Sequence, residues 1–234
     1  GVASEKCNVF VYSIANFPTF RCAEQIRNDI DYHNLSVTIV SVGAGVSYGN
    51  LGYSHHAIQD YGLIRMMPNF IIAAPGDPYE VKGVLNYLIK NPQPSYLRLG
   101  KSGEFNYSPE NKIIKPGAWS CIKPNNNSTK IILTSGTALQ WVMSKKNKLN
   151  KYNVYSLPLW GMKYKKQQSN FTKKWSAIYT VEVHLKDCGF GSWFAESHNK
   201  HELSNKEIRN YYLPETICNK SASHYELMKN IIYD

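Results

Sequence analysis

The chain has 234 residues, of which 43% are hydrophobic, and it carries a formal net charge of +10 at pH 7. It has no apolar run near the roughly 20 residues that cross a bilayer and no secretory start, so we expect no membrane span. Its five cysteines include no CxxC pair, so we expect neither a disulfide framework nor a zinc site. The positive excess lies in residues 101–234 as scattered lysines, which favours a solvated surface of a cytoplasmic protein over a nucleic-acid groove rich in arginine and stacking aromatics.

The first hundred residues alternate short β-branched runs with longer amphipathic stretches, which predicts strands joined by crossover helices in a parallel sheet. The predicted strands are 9–13, which we expect to be buried, 37–42, 70–74 and 95–99. The predicted helices are 18–32, 57–66 and one that Asp77 caps and that runs to about Lys90. The glycine-rich segment 43–56 is too long for a mere connection, and long loops after strands usually carry function.

Residues 100–129 are rich in glycine, proline, serine and asparagine, which predicts a linker or a linker with one hairpin. A second α/β pattern follows, with predicted strands 130–134, 152–157 and 177–183 and a helix over 138–149. We therefore expect an α/β protein of two three-layer domains with mainly parallel sheets. The predicted division is a first domain at 1–105, a linker at 106–129 and a second domain at 130–234.

Candidate site residues follow from the rule that ligands of open α/β sheets bind beyond the carboxyl ends of the strands. Phe17 precedes the apolar stripe of the first helix, so it is free to stack on a ligand, whereas Phe20 continues that stripe and favours the core. His55 and His56 close the glycine loop, and adjacent side chains diverge, so at most one of them can easily face a site. A lone histidine in a loop is more often a surface residue or a helix cap. Arg98 ends an apolar strand, where an arginine pairs with a buried carboxylate or with an anionic ligand.

Taken in order, these residues stand in motifs that resemble the transketolase family, including deoxyxylulose-phosphate synthase and the β subunits of 2-oxo-acid dehydrogenases. The motifs are Phe17-Pro18-Thr19-Phe20-Arg21, Glu24-Gln25-Ile26-Arg27, Tyr53-Ser54-His55-His56, Pro75-Gly76-Asp77-Pro78, Ser95-Tyr96-Leu97-Arg98, Leu133-Thr134-Ser135-Gly136 and Thr180-Val181-Glu182-Val183-His184. The resemblance covers nearly the whole chain. It implies an incomplete pyrimidine-binding domain followed by a transketolase C-terminal-like domain.

The resemblance also implies site roles and a cofactor, thiamine diphosphate. Phe17, with Phe20 as the alternative, matches the aromatic residue that stacks on the cofactor's pyrimidine. His55 matches a histidine that faces the reacting substrate, and Arg98 matches an arginine that contacts a substrate phosphate. The reaction implied is transfer of a two-carbon ketol unit between sugars or sugar phosphates.

Two parts of the family pattern are expected elsewhere. The activating glutamate would lie upstream of Gly1, and the motif that holds the diphosphate through Mg²⁺ does not occur in this sequence. The resemblance therefore implies a separate diphosphate-binding N-terminal subunit or domain as partner, in a homo-oligomer or heterotetramer, and little catalysis by this chain alone. The alternatives are a noncatalytic structural or regulatory subunit, a deoxyxylulose-phosphate-synthase-like or 2-oxo-acid-dehydrogenase-like activity and, from another class, a basic nucleic-acid-binding module.

Overall fold

The computed structural model describes residues 1–233, with Lys146 and Lys200 described by their backbone alone. The strands in chain order are β1 (Val9–Ile14), β2 (Val37–Val42), β3 (Ile71–Ala73), β4 (Ser95–Leu99), β5 (Ser120–Lys123), β6 (Lys130–Thr134), β7 (Asn153–Ser156), β8 (Leu159–Trp160), β9 (Ala177–Leu185), β10 (Glu207–Leu213) and β11 (Ile232–Tyr233). They form two sheets.

Short helices and helical turns connect these strands. The helices are α1 (Asn16–Phe20), α2 (Ala23–Gln25), α3 (Asp60–Ile64), α4 (Pro78–Lys90), α5 (Ala138–Ser144), α6 (Gln168–Thr172), α7 (Phe190–Glu196), α8 (Lys200–Leu203) and α9 (His224–Met228). A π-helical turn at Ile26–Asp31 continues α2, and 3-10 turns lie at Val2–Glu5, Gly49–Leu51, Tyr53–His55, Lys146–Lys151, Met162–Tyr164 and Glu215–Asn219. None of the helices within residues 1–233 is long and apolar enough to span a bilayer.

The first sheet has the strand order β1-β2-β4-β3-β8. Its first four strands are parallel, and β8 pairs antiparallel with β3. Parallel neighbours need crossover connections, which here contain α1, α3 and α4. The carboxyl ends of β1, β2 and β4 consequently lie at one edge of the sheet, where the loops that follow them meet.

The second sheet has the order β11-β10-β9-β6-β7-β5. The four central strands are parallel, while β11 and β5 are antiparallel edge strands. Strand β9 is buried along nearly its whole length, as expected of a central strand covered on both faces. The predicted α/β class with mainly parallel sheets is confirmed by this architecture.

A shared aromatic core joins the two halves of the chain. Trp160 of β8 packs on Tyr61 at 4.9 Å between ring centroids and on Trp193 at 5.1 Å. Its indole nitrogen also donates to Ser135 Oγ at 2.9 Å. Strand β8 belongs to the first sheet, although it lies in the second half of the chain. The second half of the chain therefore contributes an edge strand to the first sheet. The segment 106–129, predicted as a linker, contributes β5 to the second sheet, and the domain division itself stays a prediction.

Two expectations about burial are wrong. The strand at 9–13 was expected to be buried, but Phe10, Val11 and Tyr12 are 41%, 43% and 71% exposed, because β1 is an edge strand with a neighbour on one side only. Phe20, expected in the core, is 50% exposed. The physical reason is that α1 ends at Phe20 and two residues interrupt the predicted helix, so Phe20 does not continue the helical phase that buries Ile26.

Candidate functional site

The start of α1 is anchored at the carboxyl edge of the first sheet. Ala15 lies between β1 and α1 with a φ of 25°, a conformation that non-glycine residues rarely adopt. Its amide donates to the Val42 carbonyl at 2.8 Å, and its carbonyl accepts from Ser41 Oγ at 2.7 Å. These bonds to β2 hold the strained junction, so that Phe17, two residues later, has a defined place.

The glycine loop after β2 is anchored as well. Gly45 has a φ of 64° and bridges Ala57 through two backbone hydrogen bonds of 3.0 and 2.7 Å. A Cβ at Gly45 would lie 2.3 Å from Val183 Cγ1, so only glycine fits this close approach to β9. The loop therefore returns to the sheet at Ala57 and delivers His55 on its last turn.

Phe17 and His55 meet at this edge although 38 positions separate them in the sequence. Their ring centroids are 5.2 Å apart with an interplanar angle of 85°, an edge-to-face contact. His55 Nδ1 shares a hydrogen bond of 3.0 Å with Ser54 Oγ, and the Arg21 guanidinium lies 4.7 Å from the Phe17 centroid. Both rings are half-buried, so each has surface left for a ligand.

A cavity of about 490 Å³ opens beside Phe17 and is lined largely by apolar and aromatic groups. Its lining includes Val11, Tyr12, Pro18 and Ile39. An aromatic ring at the rim of an apolar cavity suits a planar heterocycle such as an aminopyrimidine. Phe20 does not line this cavity, so the geometry favours Phe17 over Phe20 as the stacking residue.

His56 has a different environment from the one expected. Its side chain is 0% exposed, whereas the sequence favoured a surface position for the histidine that does not face the site. The two side chains do diverge, and His56 points into the protein. Its carbonyl accepts a hydrogen bond from Asn16 Nδ2. Replacement of His56 would therefore alter packing in the protein interior.

Arg98 lies in the interior, 1% exposed. Its Nε donates to Asp60 Oδ2 at 2.7 Å, Nη1 to the Tyr61 hydroxyl at 3.3 Å, and Nη2 to the carbonyls of Ala57 and, at 3.2 Å, Val183. Burial lowers the pKa of Arg98, but the Asp60 carboxylate together with Tyr61 and Tyr96 raises it above its ordinary value. Each nitrogen of the guanidinium thus donates to an internal acceptor, and the predicted contact of Arg98 with a substrate phosphate stays a prediction.

The Val183 carbonyl, which accepts from Arg98, belongs to β9. The hydrogen bonds of Arg98 therefore link the first and second halves of the chain. His184 stacks on Tyr61 with centroids 5.1 Å apart, and its Nε2 is 3.8 Å from Asp60 Oδ1. Burial lowers the pKa of His184 to about 4, which leaves the ring neutral near pH 7. Glu182 accepts the backbone N–H groups of Phe190 and Gly191 at 2.6 and 3.0 Å.

Reasoning from the sequence assigned no role to Glu182 and His184, although both stand in a motif that carries the family resemblance. The sequence does contain a signal for them. Glu182 and His184 are titratable residues at alternate positions of a largely apolar strand, and such residues require hydrogen-bonding or charged partners when they are buried. Burial raises the pKa of Glu182 to about 8. No group of three or more His, Cys, Asp or Glu side chains within residues 1–233 is arranged to hold a metal ion.

The fold and the site together define an α/β protein with an aromatic and histidine-containing site at the carboxyl edge of a parallel sheet. Residues 1–103 match the family model for the transketolase pyrimidine-binding domain. The chain is 34% identical over 102 residues to a subunit of the apulose-4-phosphate transketolase of Phocaeicola vulgatus, covering 44% of this chain and 33% of that protein. It is 24% identical over 229 residues to 1-deoxy-D-xylulose-5-phosphate synthase of Aquifex aeolicus, covering 93% of this chain and 35% of the relative.

Solved structures show the same fold. A split-gene transketolase, described as an inactive beta4 tetramer, superposes with a TM-score of 0.76 at 23% identity, covering 98% of this chain and 73% of that one. A transketolase mutant of Pichia stipitis gives a TM-score of 0.71 at 18% identity, covering 94% and 31%. Residues 1–103 thus match a transketolase-type pyrimidine-binding domain, and the comparisons together support a C-terminal part of a transketolase-family protein. The chain spans about a third of the length of the curated relatives it matches.

Proposed function

We propose that this chain is the pyrimidine-binding and C-terminal part of a thiamine-diphosphate-dependent enzyme that transfers a two-carbon ketol unit between sugars or sugar phosphates. The observation that carries the proposal is the edge-to-face pair of Phe17 and His55, in which Phe17 also lines a largely apolar cavity. A stacking surface and a proton-carrying ring, side by side, are what the chemistry of a bound aminopyrimidine cofactor and a carbonyl substrate needs.

Each residue has a distinct part. Phe17 offers its ring to the pyrimidine and excludes water from it. His55 binds the substrate's oxygen and holds or moves a proton at its free ring nitrogen, because Nδ1 is already shared with Ser54 Oγ. Thiamine diphosphate, when bound, supplies the carbon nucleophile for addition to the ketose carbonyl. Arg98 takes part through Asp60 and the loop carbonyl of Ala57, which shape the sheet edge beneath the site.

A partner is part of the proposal. The apulose-4-phosphate transketolase relative, itself one subunit of an enzyme, and the split-gene structure favour an arrangement in which a separate diphosphate-binding subunit or domain holds the diphosphate and Mg²⁺. The assembly would be a homo-oligomer or a heterotetramer in the cytoplasm.

The second candidate is a deoxyxylulose-phosphate-synthase-like activity, in which a 2-oxo acid rather than a ketose is the donor. Its support is coverage, because several relatives of that name align over both halves of the chain, up to 93% of it, whereas the apulose-4-phosphate transketolase relatives align over 44% or less. Identity over the longer alignment is lower, at 24% against 34%. We therefore place it second.

Reconstitution tests the proposal and separates the two donors. The chain is mixed with the diphosphate-binding subunit of a two-subunit transketolase, Mg²⁺ and thiamine diphosphate, and turnover is measured with a ketose phosphate or with pyruvate as donor and an aldose phosphate as acceptor. We expect turnover with the ketose donor. Turnover with pyruvate alone would favour the second candidate, and a stable assembly without turnover on either would favour a noncatalytic subunit.

The isolated chain provides a further test by titration calorimetry with thiamine diphosphate and Mg²⁺. We expect weak binding or none, since a stacking contact alone contributes only about 1 kcal/mol beyond its buried area and charged diphosphate oxygens need cationic or metal partners. Tight binding by this chain alone would contradict the assignment of the diphosphate site to a partner.

A further inference from the structure

The pairing of Phe17 with His55 requires an explanation because the two residues come from separate segments. Phe17 lies on α1, which has only five residues, and His55 lies on a 3-10 turn of three residues. Neither element is long enough to be rigid by itself. An edge-to-face ring contact contributes about 0.5 to 1.5 kcal/mol, which is too little to fix two short segments against thermal motion.

Asn16 supplies a direct link between these segments. Its Nδ2 donates to the carbonyl of His56, and the two residues are 40 positions apart. Asn16 immediately precedes Phe17, and His56 immediately follows His55, so the bond joins the backbones next to both site residues. The orientation of the amide is fixed by chemistry, because a carbonyl oxygen accepts only from the NH₂ side of asparagine.

The surroundings of Asn16 keep this link in place. On its N-terminal side, Ala15 is held in its unusual conformation by bonds to β2. On its C-terminal side, Thr19, which is 0% exposed, donates its hydroxyl to the Asn16 carbonyl at 2.9 Å. The backbone of Asn16 is therefore set by the sheet, and its side chain transmits that position to the histidine segment.

The amide oxygen of Asn16 is buried and has no hydrogen-bond partner within residues 1–233. Burying an unpaired acceptor costs roughly 1 to 3 kcal/mol. An apolar residue would avoid that cost but would leave the His56 carbonyl without this donor. The donor of the side chain, and not its acceptor, carries the structural role.

We infer that Asn16 is a positioning residue that fixes the Phe17 and His55 rings relative to each other by holding the His56 carbonyl. In the reaction it would act only through these two residues, and that part of the inference rests on the proposed function. The geometric part does not, because it concerns the chain without cofactor, substrate or partner.

Proton NMR of the full chain tests the geometric part. A centroid separation of 5.2 Å with perpendicular rings places protons of Phe17 and His55 close enough for a cross-relaxation peak. The peak is assigned by its loss in His55→Gln. We expect it in the unsubstituted chain and in Asn28→Ala, a control on an exposed side chain that bonds the neighbouring Arg27.

Two variants of Asn16 then decide the question. Asn16→Ala removes the side-chain amide, and Asn16→Asp keeps its size but replaces the donor with a carboxylate that cannot donate to a carbonyl. We expect both variants to lose the peak while keeping the circular dichroism of the folded chain. A retained peak in both would overturn the inference, and so would failure of both to fold, since a local link should not be required for the fold.

Loss of the peak would stand even if the reconstituted enzyme proved inactive. Failure of the positioning role and failure of the proposed function are thus seen in different experiments. If the enzyme is active, the same two variants should lower turnover together with His55→Ala, whereas Asn28→Ala should leave it unchanged.

Discussion

Replacing Arg98 with methionine should lower the free energy of unfolding by about 3 to 5 kcal/mol, the usual cost of removing one partner of a buried ion pair. The methionine fills much of the space of the arginine stem, so the loss comes mainly from Asp60. The Asp60 carboxylate is 0% exposed, and after the substitution it would still accept a hydrogen bond from the Tyr96 hydroxyl at 2.6 Å. The carbonyls of Ala57 and Val183 would also lose a donor. Urea unfolding of the purified chain, followed by circular dichroism, measures the change.

The control for this substitution is Arg209→Met. Arg209 also pairs with a carboxylate, at 3.0 Å from Glu207, but both side chains are about two-fifths exposed. Exposed pairs of this kind contribute about 0 to 1 kcal/mol. The double variant Arg98→Met with Asp60→Leu should regain part of the lost stability, because it removes the unpaired charge. If Arg98→Met costs no more than Arg209→Met, or if the double variant is as unstable as the sum of the single ones, the ion-pair explanation is wrong.

Two other substitutions test the site and the buried carboxyls. In the reconstituted enzyme, His55→Ala should slow turnover by roughly 10²-fold to 10⁴-fold, as for a positioned acid–base group. His33→Ala, a control at an exposed turn, should not slow turnover. Equal turnover of the two variants would show that His55 is not part of the site. Burial raises the pKa of Glu80 from 4.5 to about 7. The folded chain therefore holds a proton that the unfolded chain has lost between these values, and the contribution of Glu80 to stability is present at low pH and declines as the pH rises through this window. Glu80→Gln should reduce that loss of stability by about 3 kcal/mol near pH 8. The free energy of unfolding, measured as a function of pH, checks this, and a pH profile unchanged by the substitution would contradict the burial of an uncharged Glu80.

The sequence by itself determined the elements whose signals are local. Strands β2 and β4 lie at the predicted residues. The run of β-branched residues in β2 and the aromatic and aliphatic side chains of Tyr96, Leu97 and Leu99 in β4 favour buried parallel strands. Helix α4 begins and ends as predicted, since Asp77 accepts from the Glu80 amide and a proline occupies the first helical position. The family resemblance rests on such short motifs, whose order along the chain is itself a sequence property.

Only the tertiary structure decided which residues face the site, because that depends on partners distant in sequence. Phe17 and His55 were separate candidates until the carboxyl ends of β1 and β2 brought them within 5.2 Å. Arg98 has a carboxylate partner at position 60 and a carbonyl partner at position 183, and no periodicity predicts either. His56 is buried because its loop closes against β9 through Gly45. Burial of a side chain is a property of the whole packed chain, whereas helix and strand signals are properties of a few neighbouring residues.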